Sequence, residues 1–346
     1  MRPPEYQSET LDASRAKRVW ASLITNLDYL PGLLTLAHSL RLVGSQYPLV
    51  ALYTDTVPAT ALAALDARKI PRRRVPFLQP AGGRHYTADA RFNDTWTKLV
   101  AFSLVEYDRV VLLDSDMLVR KNLDELMTLP LDAPALNGTG QRVFAASHAC
   151  ACNPLRKPHY PKDWIPANCA FTTQHSHPAK AQTEGPPPSA GVAMLNSGLL
   201  VINPSAGVFS KIQKAMNTPS LVDKYDFPDQ GLLSDVFAGR WVALPYVYNA
   251  LKTLRWEGVH SAIWRDDQVK VVHYIFATKP WHERGLKGQK ASTNSTSNNS
   301  ASNGNTHGNL RLQAFQASDE ITHGWWWAAN EDRQRTEREE GINDGF

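Results

Sequence analysis

Short apolar runs alternate with amphipathic stretches along the first third of the chain. Residues 19–25 and 48–54 are short, mostly apolar runs, as expected for strands buried on both faces. The stretch that begins at Pro31 carries its apolar residues at helical spacing and ends at Gly44. Residues 56–69 form a second helical pattern, rich in Ala and Leu. This alternation predicts an α/β protein with a doubly wound, mostly parallel central sheet and helices on both faces.

Two carboxylates follow the next buried run, residues 110–113. Asp114 and Asp116 are spaced i, i+2, so in an extended chain both point to the same side where the strand ends. Neighbouring carboxylates repel each other unless a cation lies between them, and the carboxyl ends of strands in such sheets bind ligands. The pattern predicts a metal–diphosphate site. Two solvated acids leaving the core remain an alternative. The nucleophile motif of the haloacid-dehalogenase-type phosphohydrolases is another alternative. It is disfavoured because that class needs a later acidic pair at the end of a strand, whereas Asp266 and Asp267 precede theirs.

The middle of the chain contains one long stretch of weak pattern. Before residue 110, a helix is predicted over 95–106, with Asp94 as its cap. After Asp116, Asn122 and Glu125 resemble a capping box that opens another helix. Residues 129–189 are then Pro-rich and irregular, which in a compact domain is typical of a functional loop such as an acceptor-binding surface. This stretch holds all three cysteines and several histidines. A zinc site is the less favoured alternative, because Cys150-x-Cys152 lacks the usual paired spacing, and reduced, partly buried thiols are the expectation.

Polar residues interrupt later elements of regular pattern. Residues 193–204 are predicted to be a strand, and Asn196, Ser197 and Gly198 in its middle indicate the close approach of a ligand or of another backbone. A helix is predicted to start at Pro228, and the acids of its first turn have capping as their alternative role. A further strand, 269–275, ends in His273 and the residues after it.

The two ends of the chain differ from its centre. Residues 1–17 are expected to form a flexible arm and 18–287 the main domain. Residues 288–309 are rich in Ser and Asn with almost no apolar side chain, which predicts a disordered linker. Residues 310–346 contain three consecutive tryptophans, Trp325 to Trp327, and this segment is expected to pack back onto the domain.

Composition excludes several classes of protein. The chain has 346 residues, 42% of them apolar and 20% charged, which is ordinary for a globular protein. Its net charge of +4 is too small to indicate a nucleic-acid partner. No apolar run approaches the ~18 residues of a membrane span, and the start lacks a signal-peptide core, so a cytoplasmic location is expected. Three cysteines do not make a disulfide framework.

Six segments together resemble the family 8 glycosyltransferases, the group that includes glycogenin and the plant galactinol synthases, and above all its fungal-type members. They occur in the family's order between about residues 19 and 281. The six segments are 95–99 (TWTKL), 114–116 (DSD), 195–199 (LNSGL), 229–231 (DQG), 244–249 (LPYVYN) and 273–281, which runs from His273 to Lys279-Pro280-Trp281.

This resemblance implies a GT-A fold and the retaining transfer of a hexose from a UDP-sugar, with UDP-glucose or UDP-galactose as donor. The acceptor would be a carbohydrate or polyol, and a homodimer is left open. By residue-by-residue carry-over, Asp114, Asp116 and His273 would hold Mn²⁺ or Mg²⁺. The expected catalytic residues are Asp229, Gln230, Asn196 and Lys279. The expected donor contacts are Leu23, Thr25, Asn26, Tyr29, Lys98, Ser115, Ser197 and Asp226.

Two positions depart from the glycogenin pattern. Phe276 replaces a Gly three residues after the metal histidine, so the backbone approach to the diphosphate is expected to differ. Trp256 stands about where glycogenin carries its self-glucosylated tyrosine, and an indole has no hydroxyl to accept a sugar. The chain is therefore expected to use a separate acceptor. A glycogenin-like primer protein and a non-catalytic carbohydrate or sugar-nucleotide binder remain the alternatives.

Overall fold

The computed structural model describes residues 16–80, 82, 86, 92, 94–283 and 306–346, with backbone alone at 306–311. The predicted N-terminal arm lies outside the described residues except for its last two positions. The predicted linker lies outside them as far as residue 305, and its last four residues begin a helix.

Ten strands form two sheets in the part of the chain that the structure describes. The strands are β1 Arg18–Ile24, β2 Leu49–Tyr53, β3 Arg72–Arg74, β4 Arg109–Leu113, β5 Met117–Val119, β6 Phe144–His148, β7 Leu195–Ile202, β8 Val242–Ala243, β9 Ala250–Leu251 and β10 Val271–His273. The larger sheet has the order β3-β2-β1-β4-β7-β6-β8, and the smaller has the order β5-β10-β9. In the larger sheet only the β4–β7 and β7–β6 pairs are antiparallel, so the prediction of a mostly parallel sheet is confirmed.

α-Helices and several 3-10 segments complete the described fold. The helices include α1 Leu30–Leu42, α2 Ala59–Ala67, α3 Ala206–Met216, α4 Pro219–Val222, α5 Pro228–Val236 and α6 Thr306–Glu339, and residues 280–283 are also helical. The 3-10 segments include Leu27–Tyr29, Thr95–Ser103, Asp124–Thr128 and Tyr246–Tyr248.

Side chains of the central strands point alternately into two separate hydrophobic cores. Val110 and Leu112 of β4 pack on the face covered by α3 and α5. Val111 and Leu113 point to the opposite face, which α1 and α2 cover. Burial on both faces explains why residues 110–113 of β4 are a continuous apolar run without polar alternation. The expected two-sided cover of helices is therefore present.

The chain leaves the large sheet and enters the small one within three residues. Asp114, Ser115 and Asp116 form a turn between β4 and β5, not the extended strand end predicted from the sequence. The backbone N–H of Asp114 donates to the carbonyl oxygen of Gly198 at 2.8 Å, and that of Met117 to the carbonyl oxygen of Asp114 at 3.2 Å. This change of sheet places both carboxylates at the carboxyl end of β4, beside β10 of the small sheet.

Two predicted helices are shorter and tighter than expected. Thr95–Ser103 is a 3-10 helix, and Asp94 does not cap it, because its carboxylate accepts a hydrogen bond from Thr25 Oγ1 at 2.9 Å. Asn122 does accept from the backbone N–H of Asp124 at 2.9 Å, but the chain beyond it forms only the short 3-10 segment Asp124–Thr128. At Asp94, a tertiary hydrogen bond therefore replaces the local cap that the sequence pattern predicts.

The irregular stretch 129–189 contains a strand that was not predicted from the sequence. Phe144–His148 is fully buried and pairs with β7 on one side and β8 on the other. Its five residues are too short a run to show a period. At the opposite edge, the basic cluster Arg72–Arg74 forms the exposed strand β3, which pairs with β2. Charged side chains on an edge strand discourage pairing with another chain.

The C-terminal helix α6 crosses the domain. The Tyr274 hydroxyl donates to the carbonyl oxygen of Thr322 at 2.8 Å, and Lys252 pairs with Asp319 at 2.9 Å. Trp326 is buried, with its ring centroid 5.3 Å from that of Trp281. Although α6 has 34 residues, neither it nor any other described helix is apolar enough over a sufficient length to span a membrane.

Candidate functional site

Asp114, Asp116 and His273 converge from separate elements of the chain. His273 ends β10, and its register partner on the antiparallel strand β5 is Met117, the residue after Asp116. His273 Nε2 lies 3.3 Å from Asp116 Oδ1 and 3.8 Å from Asp114 Oδ2. One ligand atom from each residue lies within 4.8 Å of the other two. Two carboxylate oxygens and an imidazole nitrogen at this spacing can hold a divalent cation.

A chain of side-chain amides orients the imidazole. His273 Nδ1 lies 2.9 Å from Asn249 Oδ1, which can only accept, so Nδ1 carries the proton and the Nε2 lone pair faces the carboxylates. Asn249 Nδ2 donates to Asn196 Oδ1 at 2.8 Å, and Asn196 Nδ2 donates to Gln230 Oε1 at 2.8 Å. Asn249 was not predicted as a site residue, although it lies in one of the motifs. Its role depends on the pairing of β9 with β10.

Gly198 allows this arrangement sterically. A Cβ at this position would lie 2.4 Å from His273 Cε1 and 2.9 Å from Asn196 Oδ1. The sequence pattern predicts that a ligand or another backbone comes close to Gly198. In the structure, the group that comes close is the His273 ring.

Two lysines, Lys279 buried and Lys98 partly buried, pair with the two carboxylates. Lys98 Nζ lies 2.8 Å from Asp114 Oδ2 and 3.8 Å from Asp229 Oδ2. Lys279 is 1% exposed, and its Nζ donates to Asp116 Oδ2 and, at 2.7 Å, to the carbonyl oxygen of Tyr274. Each acid of the pair therefore has its own ammonium partner.

The two carboxylates have opposite pKa shifts. Burial alone would raise the pKa of Asp116, but the charge and the hydrogen bond of Lys279 outweigh it, and the pKa lies well below its ordinary value. Burial raises the pKa of Asp114, with the neighbouring charge of Asp116 adding to it and Lys98 opposing it. Burial also disfavours the charged form of Lys98, yet Asp114 and Asp229 raise its pKa. Asp116 is therefore the more firmly ionised of the pair.

Fourteen of the fifteen predicted site residues line one cavity. They are Leu23, Thr25, Asn26, Tyr29, Lys98, Asp114, Ser115, Asp116, Asn196, Ser197, Asp229, Gln230, His273 and Lys279. Asp226 is the exception: it is half-buried two residues before α5 and does not line this cavity.

Asp229 presents an oxygen that has no hydrogen-bond partner inside the described part of the chain. The residue lies in the first turn of α5 and is 3% exposed. Its Oδ2 is buried without a hydrogen bond, and Lys98 Nζ lies 3.8 Å away. A buried polar atom left unpaired is costly, so this oxygen is well suited to accept a hydrogen bond from a ligand.

Aromatic residues form another part of the cavity wall. The rings of Trp164 and Phe227 are stacked with centroids 4.5 Å apart, and Tyr160 meets Phe227 edge-on at 5.1 Å. Tyr160 and Trp164 belong to the stretch predicted as an acceptor-binding surface. These three rings were not predicted individually. A Tyr and a Trp within a Pro-rich loop were the available indication.

Phe276 occupies an unusual backbone conformation at the cavity. Its φ is +76°, in the left-handed region that favours glycine. The backbone shape that glycine adopts readily is thus taken here by a residue with a side chain. Lys157 Nζ lies 4.6 Å from the centre of its ring, so the ring joins the cavity to the Pro-rich stretch.

Comparisons with known proteins agree on one family. Residues 21–285 match the family described as Glycosyl transferase family 8. Galactinol synthase 4 of Arabidopsis thaliana is 27% identical over 291 residues, which cover 82% of this chain and 79% of that protein. An uncharacterised protein of Acanthamoeba polyphaga mimivirus is 27% identical over 256 residues, which cover 73% of this chain and 78% of that protein.

Solved structures support the fold. The glycosyltransferase GlyE of Streptococcus pneumoniae TIGR4 superposes with a TM-score of 0.50 at 16% identity. The match covers 90% of this chain and 64% of the GlyE chain, so this chain spans less than two thirds of GlyE. The predicted GT-A fold is confirmed.

Proposed function

This chain belongs to glycosyltransferase family 8, and we propose that it moves a hexose from a UDP-sugar to a separate acceptor, with a bound divalent metal and with retention at the anomeric carbon. The family predicted from six motifs is confirmed, and membership implies a nucleotide-sugar donor and an acceptor. The observation that carries the finer proposal is the convergence of Asp114, Asp116 and His273 on the wall of one cavity.

The ligand set fits Mn²⁺ or Mg²⁺. Carboxylate oxygens suit both ions, and an imidazole nitrogen favours Mn²⁺ over Mg²⁺. Because the protein supplies three ligands, positions remain for diphosphate oxygens. When bound, the ion would neutralise the charge that develops on departing UDP.

The charges that line the cavity favour joint binding of cation and donor. Asp94, Asp114, Asp116 and Asp229 face two lysines, which leaves a formal charge of −2 with neutral His273. A diphosphate would be repelled by this surplus, whereas a divalent cation balances it. UDP is therefore expected to bind far more weakly without the cation. Lys98 and Lys279 would then stabilise the diphosphate together with the ion.

The donor's two ends are assigned to opposite sides of the metal ligands. Uridine would contact the end of β1 and the following 3-10 turn, through Leu23, Thr25, Asn26 and Tyr29. Ser115 would lie at the diphosphate. The hexose would contact Asn196, Ser197, Asp229 and Gln230. Asp226, outside the cavity lining, keeps a donor role only on the strength of the family resemblance.

Asp229 and Gln230 are the proposed contacts to the transferred sugar. The unpaired Oδ2 of Asp229 can accept from a sugar hydroxyl. Gln230 Oε1 already accepts from Asn196 Nδ2 and from the backbone N–H of Ser197 at 3.2 Å, so its side-chain NH₂ is the group left to donate. These hydrogen bonds fix the Gln230 side chain before the donor binds, which lowers the entropic cost of ordering the reacting groups.

A separate acceptor is supported by the position of Trp256. Its ring is buried and stacked on Phe315 of α6, with centroids 4.2 Å apart. Its Nε1 donates to Asp319 Oδ1 at 2.7 Å. This residue therefore serves the attachment of α6 and has no hydroxyl to offer. The aromatic wall formed by Tyr160, Trp164 and Phe227 is the proposed acceptor side.

The test is UDP release from a panel of UDP-sugars, with and without Mn²⁺, in the presence of mixed sugars and polyols. Wild-type protein is expected to release UDP only with the cation, and product NMR is expected to show the donor's anomeric configuration. Asp223→Asn, an exposed carboxylate change outside the cavity, serves as the control for Asp116→Asn. Cation-dependent UDP binding without any transfer would instead establish the non-catalytic binder.

A further inference from the structure

A second cluster of ligand-type side chains lies beside the cavity. Cys150, Cys152 and Cys169 surround His260, and one ligand atom from each of the four lies within 4.8 Å of the others. His260 Nε2 lies 3.1 Å from Cys152 Sγ and 3.2 Å from Cys169 Sγ. Cys169 is 1% exposed and His260 is fully buried. All three cysteines are free thiols.

The imidazole of His260 is held in the orientation of a ligand. The neighbouring thiols are donors, so Nε2 is the acceptor and Nδ1 carries the ring proton. His260 Nδ1 lies 2.8 Å from His175 Nε2, which accepts the hydrogen bond from its N–H. A metal-binding histidine usually donates its second ring N–H to an outer partner in this manner, which fixes its tautomer. His175 is such a partner.

We propose that Cys150, Cys152, Cys169 and His260 bind one structural zinc ion. Three thiolates and one imidazole are a closed, four-ligand zinc set, and soft sulfur ligands select against Mn²⁺ and Mg²⁺. A tetrahedral ion with Zn–S of about 2.3 Å and Zn–N of about 2.0 Å needs S–N separations of about 3.5 Å. The observed 3.1 and 3.2 Å require shifts of only a few tenths of an ångström.

The ion would join three remote parts of the chain. Cys150 and Cys152 closely follow β6, Cys169 lies in the Pro-rich stretch, and His260 lies 108 positions after Cys152. Cys150 also lines the cavity together with Tyr160 and Trp164. The zinc would therefore position the aromatic wall, and its removal is expected to loosen that wall without touching Asp114, Asp116 or His273. The four zinc ligands are positioning residues in this scheme.

Metal analysis of the purified full-length protein tests the proposal. Elemental mass spectrometry of the gel-filtered protein is expected to find about one zinc ion per chain. Cys152→Ser and His260→Gln are expected to lower this at least tenfold. His177→Gln, an exposed histidine of the same stretch outside the cluster, is the matched control and should retain zinc. Asp116→Asn should also retain it, which separates this site from the proposed catalytic metal.

Substitution with Co²⁺ tests the proposal on the wild-type protein, even if the variants fold poorly. Wild-type protein exchanged with Co²⁺ should show a thiolate charge-transfer band and the intense visible bands of a tetrahedral site. A six-coordinate spectrum without thiolate bands would overturn the proposal. So would protein from zinc-containing medium that holds no zinc, whether its cysteines titrate as three free thiols or two of them form a disulfide.

Discussion

Replacing Asp116 by Asn separates the structural and the chemical roles of the candidate metal site. Asp116 is 6% exposed and is the counter-charge of Lys279, which is 1% exposed. The substitution preserves shape and removes the charge. It therefore leaves a buried ammonium with the Tyr274 carbonyl oxygen and the new amide oxygen as acceptors.

The expected loss of stability follows from that stranded charge. Breaking a buried ion pair by removing one partner costs about 3–5 kcal/mol. Because two neutral acceptors remain for Lys279, we expect about 3 kcal/mol, which in a chain of this size lowers Tm by roughly 4 °C. Activity should fall by about 100-fold or more, since the variant has lost a metal ligand.

The double variant Asp116→Asn/Lys279→Met tests whether the loss of stability and the loss of activity have different causes. Removing both charges should restore stability to within about 1–2 kcal/mol of wild type, because no charge is left buried alone. Activity should stay low, since neither the ligand nor the lysine cation returns. Thermal unfolding and Mn²⁺-dependent UDP release measure the two quantities. Wild-type stability and turnover in Asp116→Asn, or full activity in excess EDTA, would refute the reasoning.

The remaining predictions concern other contacts. Gly198→Ala should reduce Mn²⁺-dependent turnover at least tenfold, because the new Cβ would displace the His273 ring. An Mn²⁺ affinity equal to that of the wild type, measured by calorimetry, would contradict this displacement. Intact-mass spectrometry after incubation with Mn²⁺ and UDP-glucose or UDP-galactose should show no hexose on the protein itself; stepwise increments would restore the primer alternative. Burial opposes the charge of Glu337, but hydrogen bonds from Arg68 and Arg333 lower its pKa. The ionised Glu337 therefore stabilises the fold above its unfolded pKa of about 4.3, and this contribution is lost as the pH falls further. Glu337→Gln should cost about 3 kcal/mol at neutral pH and show a weaker loss of stability in acid, measured by denaturant unfolding between about pH 7 and 3.

The local pattern of the sequence was sufficient for the elements that carry the candidate site. The apolar runs of β1 and β4 are buried on both faces, and burial of that kind is visible in each strand alone. The family resemblance then identified fourteen residues that line one cavity, because most of them lie at strand ends and helix starts that the fold brings to one edge. Asp226 does not line it. Its proximity to Asp229 along the chain did not bring its side chain to the same wall.

Other features depended on contacts between segments that are remote in sequence. The strand β6 has only five residues, and its place between β7 and β8 is decided by hydrogen bonds to segments about 50 and 100 positions away. The sequence pattern predicted local capping roles for Asp94 and Glu125, but each acid found a tertiary partner: the Thr25 hydroxyl in one case, and Tyr248 at 2.7 Å in the other. Local propensity is weak beside such tertiary contacts.

The thiol cluster shows the same limit most clearly. Cys-x-Cys alone lacks a zinc-binding spacing, and His260 lies 108 residues from Cys152 in a segment with no motif. Likewise, Asn249 orients His273 from beside a different strand of the small sheet. The sequence by itself determined which chemical groups are present and which strands are buried. The tertiary structure decided which of those groups meet, because contacts between residues remote in sequence depend on how the whole chain packs and leave no periodicity in either segment.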